Sequence, residues 1–123
     1  MAEEKTQEQG ETQRRKYSRV KAHVVVNVQK FDGFREKISS DKGTIRNLSE
    51  GGLLLQASKP LEIDSHIIVN FSLPGSDEKM DFIAKVVRIE KLPNGQYEAG
   101  IMFLRMIMGE FERLKQYVFE EER

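Results

Sequence analysis

A small antiparallel β-barrel or sandwich, covered in part by one C-terminal helix, is the fold class this sequence predicts. Three observations carry the prediction. Short apolar or alternating runs recur between turn signals at intervals of about eight to twelve residues. The apolar period changes to a helical one only near the C-terminus. The 123 residues are enough for one compact core and too few for two ordinary domains.

Met1 to Gln13, "MAEEKTQEQGETQ", is rich in Glu, Gln, Lys and Thr. It holds too little apolar surface to offset the entropy of ordering, so residues 1–13 are expected to be a disordered polar tail. Residues 14–123 are expected to form the domain: a basic arm over 14–21, a barrel over about 22–104 and a helix over about 107–121. The first strand begins in "AHVVVNVQ" from Ala22, where Val recurs with partial alternation, and the turn signal Asp32-Gly33 ends it. Strand-like runs follow around Arg35 to Ser39, in "GTIRNLS" from Gly43 and in "GLLLQAS" from Gly52.

In "HIIVNFSL", Ile67, Val69, Phe71 and Leu73 alternate with Ile68, Asn70 and Ser72, the period of a strand with one buried face. "PGSDEK" then makes a turn. "MDFIAKVVRIEKL" from Met80 is long, and the adjacent Val86 and Val87 interrupt its alternation as a bulge or a barrel corner does. Pro93-Asn94-Gly95 reads as a hairpin turn into "QYEAGIMFL", so these two strands should be neighbours. Ile107, Phe111, Leu114 and Val118 then fall at helical spacing, predicting an amphipathic helix whose apolar stripe packs on the barrel.

Charge restricts the function classes. The 20 basic and 20 acidic residues balance, which argues against a polyanion binder held by bulk electrostatics. The charges are nevertheless segregated. Glu3, Glu4, Glu8 and Glu11 lie in the tail, and Arg14, Arg15, Lys16, Arg19 and Lys21 follow at once. With no cysteine, disulfides, thiolate catalysis and cysteine metal sites are excluded together. His23 and His66 have no ligand-spaced partner, so no metal is expected. The sequence has no membrane-length apolar run and no secretory core at its N-terminus, and a cytoplasmic location is the expectation.

Two constellations carry chemistry. In "RRKYSRV", Arg15 and Arg19 lie four apart around Tyr17. Guanidinium forks suit phosphate or a guanine Hoogsteen edge, and they also stack on flat rings; a merely solvated charge patch is the plainer alternative. In "NLSEGG", Asn47 and Ser49 offer polar atoms, and Gly51 and Gly52 allow close approach by a ligand or another backbone. A tight inter-strand turn explains the same residues without a ligand. No Gly-x-Ser-x-Gly elbow surrounds Ser49, and no catalytic set emerges, so the chain is not expected to be an enzyme.

Together and in this order, the two constellations resemble the PilZ domain, a bacterial receptor module for cyclic di-GMP. The family's RxxxR motif is matched by Arg15-Lys16-Tyr17-Ser18-Arg19 and its [D/N]xSxxG motif by Asn47-Leu48-Ser49-Glu50-Gly51-Gly52. The resemblance spans Arg14 to about Val118 and implies a six-stranded antiparallel barrel with a C-terminal helix. It further implies that Arg15 and Arg19 grip phosphate and guanine and that Asn47 pairs with the guanine edge. Ser49 would bond near the phosphate or hold the loop, and Gly52 would leave room for the ligand. Arg14 matches an arginine that in relatives accompanies two mutually intercalated cyclic di-GMP molecules. Asn47 stands where many relatives have Asp, which predicts weaker binding than an Asn47→Asp variant shows, unless losing that charge relieves repulsion with the phosphates.

The resemblance thus implies a stand-alone cyclic di-GMP receptor that regulates a protein partner in motility, adhesion or polysaccharide secretion. A PilZ-like adaptor that ignores the dinucleotide is one alternative, against which the intact motifs count. A small barrel for single-stranded nucleic acid is the other, and it is disfavoured because Tyr17, Phe31, Phe34 and Tyr97 form no stacking row.

Overall fold

Runs of β-branched residues separated by turns close on themselves here. The computed structural model describes residues 19–31 and 37–122. It contains strands β1 (Val20–Phe31), β2 (Lys37–Leu48), β3 (Gly52–Ala57), β4 (His66–Phe71), β5 (Met80–Lys91) and β6 (Tyr97–Met108), followed by helix α1 (Phe111–Glu121). Every hydrogen-bonded pair is antiparallel, and the order β1-β2-β3-β6-β5-β4 closes through β1 and β4 into a six-stranded barrel. Of the two architectures that the periodicity left open, the chain adopts the barrel.

Alternation decides which side chains fill it. Val24, Val26 and Val28 of β1 point inward and are buried, whereas His23 before them and Val25 between them are exposed. Ile67, Val69 and Phe71 of β4 and Phe82, Ala84 and Val86 of β5 join them. Phe71, Phe82 and Phe103 form a stacked group in which the Phe82 and Phe103 rings lie 3.9 Å apart between centroids. Burying each such side chain stabilises the fold by roughly 1.5–3 kcal/mol.

Val87 is a bulge: Val86 pairs with Ile101 and Arg88 with Gly100, so Val87 has no partner across the ladder. The β5–β6 hairpin closes where expected, with the Leu92 N–H donating to the Gln96 carbonyl at 2.7 Å and the Gly95 N–H to the Leu92 carbonyl at 3.0 Å.

Three expectations change. The runs read as separate strands before and after Gly43 belong to one strand, β2, because β1 pairs with it along nearly its whole length. The barrel strands run from Val20 to Met108, beyond the expected 22–104. The helix begins at Phe111 instead of near 107. Asp81 pairs with Met108 and keeps the chain extended that far, and Gly109 then turns at φ 112°, a conformation that other residues rarely adopt. Ile107 is therefore an exposed strand residue, and the helical stripe reduces to the buried Leu114 and Val118. The polar tail, Arg14, Arg15, Tyr17, the Asp32-Gly33 turn and Arg35 lie outside the described residues.

Candidate functional site

Where β1 begins, its partner strand is ending. Val20 pairs with Leu48 and Lys21 with Asn47, so Arg19, exposed and one residue earlier, lies at the mouth of the turn from Ser49 to Gly52. The end of the arginine motif and the start of the asparagine motif are thus neighbours in space, although Arg19 and Asn47 lie 28 positions apart in sequence. Arg15 and Arg14 fall outside the described residues.

A bulge aims Asn47. Ile45 pairs with Leu55 and Asn47 with Leu54, leaving Arg46 as an extra residue. Ile45 and Leu48 can then both enter the core, while Arg46 and Asn47 between them stay outside. Arg46 is occupied along the sheet, its guanidinium donating to Gln56 Oε1 at 2.5 Å.

Ser49 is the hub of the turn. Its hydroxyl accepts the N–H groups of Gly51 at 3.1 Å and Gly52 at 3.2 Å and donates to the Gly52 carbonyl at 3.3 Å. The Ser49 N–H also donates to that carbonyl, at 2.9 Å. A hydroxyl has one donor and two lone pairs, so all three are used inside the turn. Of the two roles sequence reasoning offered Ser49, this geometry is that of the loop holder.

Gly52 has a comparable explanation. A Cβ at this position would sit 2.0 Å from the Ile101 carbonyl oxygen, so the absent side chain makes way for the backbone of β6. From the other side of the turn, the Gly51 carbonyl accepts the Phe103 N–H at 2.9 Å. The turn is thereby fixed by its own hydroxyl and by the neighbouring strand, which presents Asn47 and the Gly51-Gly52 edge without further ordering.

Register extends the site. One row runs Lys21, Asn47, Leu54, Gly100, Arg88 across β1, β2, β3, β6 and β5. Four inter-strand steps make it about 19 Å wide. A Cβ on Gly100 would lie 3.6 Å from Arg88 Nε, so the Arg88 side chain leans over the strand that carries Gly100. Glu90 at 3.4 Å and Glu98 at 3.9 Å hold its guanidinium from the hairpin side. Lys21 stands exposed at one end of the row, and Arg88 closes the other through its ion pairs with Glu90 and Glu98. Sequence reasoning did not connect Arg88 with Lys21 and Asn47, because four successive strand pairings leave no signature in the local sequence.

His23 and His66 are exposed and lie on different strands. Among the described residues, no group of three or more His, Cys, Asp or Glu side chains is placed to hold a metal ion. No helix among them is long and apolar enough to cross a membrane.

Known proteins share this fold. The family model for the PilZ domain matches residues 13–120. The inhibitor of motility of Bacillus subtilis (MotI/DgrA) superposes with a TM-score of 0.72 at 19% identity, covering 88% of this chain and 51% of its own. YcgR from Escherichia coli, solved in complex with c-di-GMP, gives 0.65 at 22% identity, covering 89% and 46%. The separate PilZ domain of YcgR, also solved with c-di-GMP, gives 0.59 at 18% identity, covering 89% and 92%. The chain thus spans about half the length of the first two. At these identities the likeness establishes the fold. No curated protein matches the sequence significantly.

Proposed function

Since this chain belongs to the PilZ domain family, we propose that it is a receptor for cyclic di-GMP, with no catalytic step, whose output is a changed surface offered to a protein partner. The observation that carries the reading is the pairing of Lys21 with Asn47, which seats the exit of the arginine arm beside the Asn47–Gly52 turn.

In this reading Arg15 and Arg19 clamp phosphate and guanine, and Asn47 meets a guanine edge. Lys21 and Arg88 flank the ligand, while Ser49 and Gly52 act through the shape of the turn. Arg14 serves a second, intercalated cyclic di-GMP. The arm over 14–21 closes on the ligand, and the local surface moves from positive toward negative. Ligand shifts that equilibrium only by binding the closed arm better than the open one. A cytoplasmic location and the control of motility or biofilm functions complete the proposal.

Calorimetric titration of cyclic di-GMP into the native chain and an Arg15→Ala, Arg19→Ala double variant tests the reading. Charge-assisted hydrogen bonds contribute about 1.5–3 kcal/mol each, so the variant should lose roughly two orders of magnitude or more in affinity. Two ligands per chain would support the role of Arg14. A folded native chain that takes up no dinucleotide would overturn the receptor reading in favour of a ligand-independent adaptor.

A further inference from the structure

β1 is paired on both sides along only part of its length. Its register with β2 spans Val20 to Phe31, whereas its register with β4 runs from Asn27↔Asn70 to Lys30↔Ile67 and stops. Beyond Phe71 the chain leaves the sheet through Ser72, Leu73 and Pro74. The divergence opens a cleft of about 480 Å³ between β1 and the β4–β5 connection, within the size range of ligand pockets.

Its walls are informative. Val25, 63% exposed, stands on the β1 side, and buried Phe71 and Leu73 stand opposite. Lys42 and Lys79 supply charge from the two sides, and among the described residues no carboxylate lines the cleft. Of the acids near it in sequence, Asp81 is hydrogen-bonded by the Asn70 amide and Glu78 is paired with Arg113. Asp77 is exposed and does not line the cleft.

We propose that this cleft docks an extended acidic segment of a protein partner, which adds as a strand to the open edge of β1. Main-chain hydrogen bonds from Val24 to Val26 would supply the pairing that β4 stops giving. Alternate side chains of the segment would turn toward the barrel mouth beside Val24, and the acidic ones between them would face Lys42 and Lys79. A nucleic acid fits less well, because among the described lining residues Phe71 is 1% exposed and the His23 imidazole alone is left to stack on a base. The inference goes beyond the receptor reading and stands without it.

The test is a titration of the ¹⁵N-labelled full chain with a capped peptide alternating Val and Glu, followed through amide shifts. Saturable shifts concentrated at Val24–Asn27 and Ser72–Ser76 are expected. A Lys42→Glu, Lys79→Glu double variant with an unchanged thermal melt should bind about tenfold more weakly or worse. The same peptide with alternate nitrogens methylated keeps its charge but loses half its donors, and it should not bind. Equal binding by the methylated peptide, the same shifts from inorganic pyrophosphate or a single-stranded oligonucleotide, or no saturable shift would each overturn the proposal.

Discussion

The turn from Ser49 to Gly52 and the strand end from Phe103 to Met108 touch through the Phe103–Gly51 hydrogen bond, yet they are built on opposite terms. In the turn a polar hydroxyl is 8% exposed at the level of its residue and spends its whole hydrogen-bonding capacity on neighbouring backbone. In the strand end, Leu104, Ile107 and Met108 are 46%, 51% and 54% exposed. β6 slips register against β5 there at Leu104 and at Ile107, and each slip turns an apolar side chain outward. Burial follows the backbone path in both places, and hydrophobicity alone would have assigned both wrongly.

Gly52→Ala should produce the largest effect. The added carbon would meet the Ile101 carbonyl at 2.0 Å, and backbone cannot swing aside as a flexible side chain does. A loss of about 3 kcal/mol or more is expected, with the β3–β6 ladder opening first. Denaturant unfolding together with amide exchange at Leu53 to Leu55 would measure it. Native-like stability would mean that the turn is more compliant than its packing implies.

Within the strand end, adjacent residues should differ sharply. Phe103→Ala removes a ring stacked on Phe82 and should cost about 3 kcal/mol, whereas Leu104→Ser should change stability by less than about 0.5 kcal/mol. Equal losses in thermal or chemical melts would show that Leu104 has a partner in solution.

The same contrast explains what could be read from the sequence. Alternation in β4 and the Pro93-Asn94-Gly95 turn gave local, period-based signals, and the strands appeared where those signals stood. The Asn47–Gly52 segment was legible as a turn because Asn, Ser and Gly are chosen for backbone reasons that act within a few residues. The helix boundary was misplaced because Ile107 keeps helical spacing with Phe111, while its actual conformation is imposed by the distant pairing of Asp81 with Met108. For Gly52 the sequence left a ligand or another backbone open, because a sequence cannot show that Ile101 comes up against it. The link from Arg88 to Lys21 was invisible for the same reason, since four strand pairings lie between them.

Ser49→Ala should sharpen the comparison by removing one oxygen and no packing. The Gly51 and Gly52 N–H groups lose their acceptor, and the buried one is costly to leave unmade, so a destabilisation of about 1–3 kcal/mol is expected. If the turn then loosens, dinucleotide affinity should fall with it even though the hydroxyl has no capacity left for ligand. Ser49→Thr, which keeps the oxygen, should restore both when stability and binding are measured side by side. Loss of affinity with stability unchanged would instead make Ser49 a direct contact.

The smallest effect should come from the helix that follows the strand end. Tyr117 packs against the core from α1, and burial first, then the carboxylate of Glu121, hold its phenol above the ordinary tyrosine pKa. Both causes disfavour the phenolate in the folded chain. Between the unfolded value near 10 and the higher folded one, the folded state therefore binds more protons than the unfolded state. The contribution is fully present below about pH 10 and is lost as pH rises through the folded pKa. Tyr117→Phe has no proton to lose, so its stability should match the native chain near neutrality and exceed it progressively above about pH 10. Lysine titration occurs in both proteins and cancels in the difference, which isolates the phenol. Parallel pH–stability curves would show that Tyr117 ionises as freely in the fold as in the unfolded chain, and that the second face of α1 is open to water as the exposed strand end beside it is.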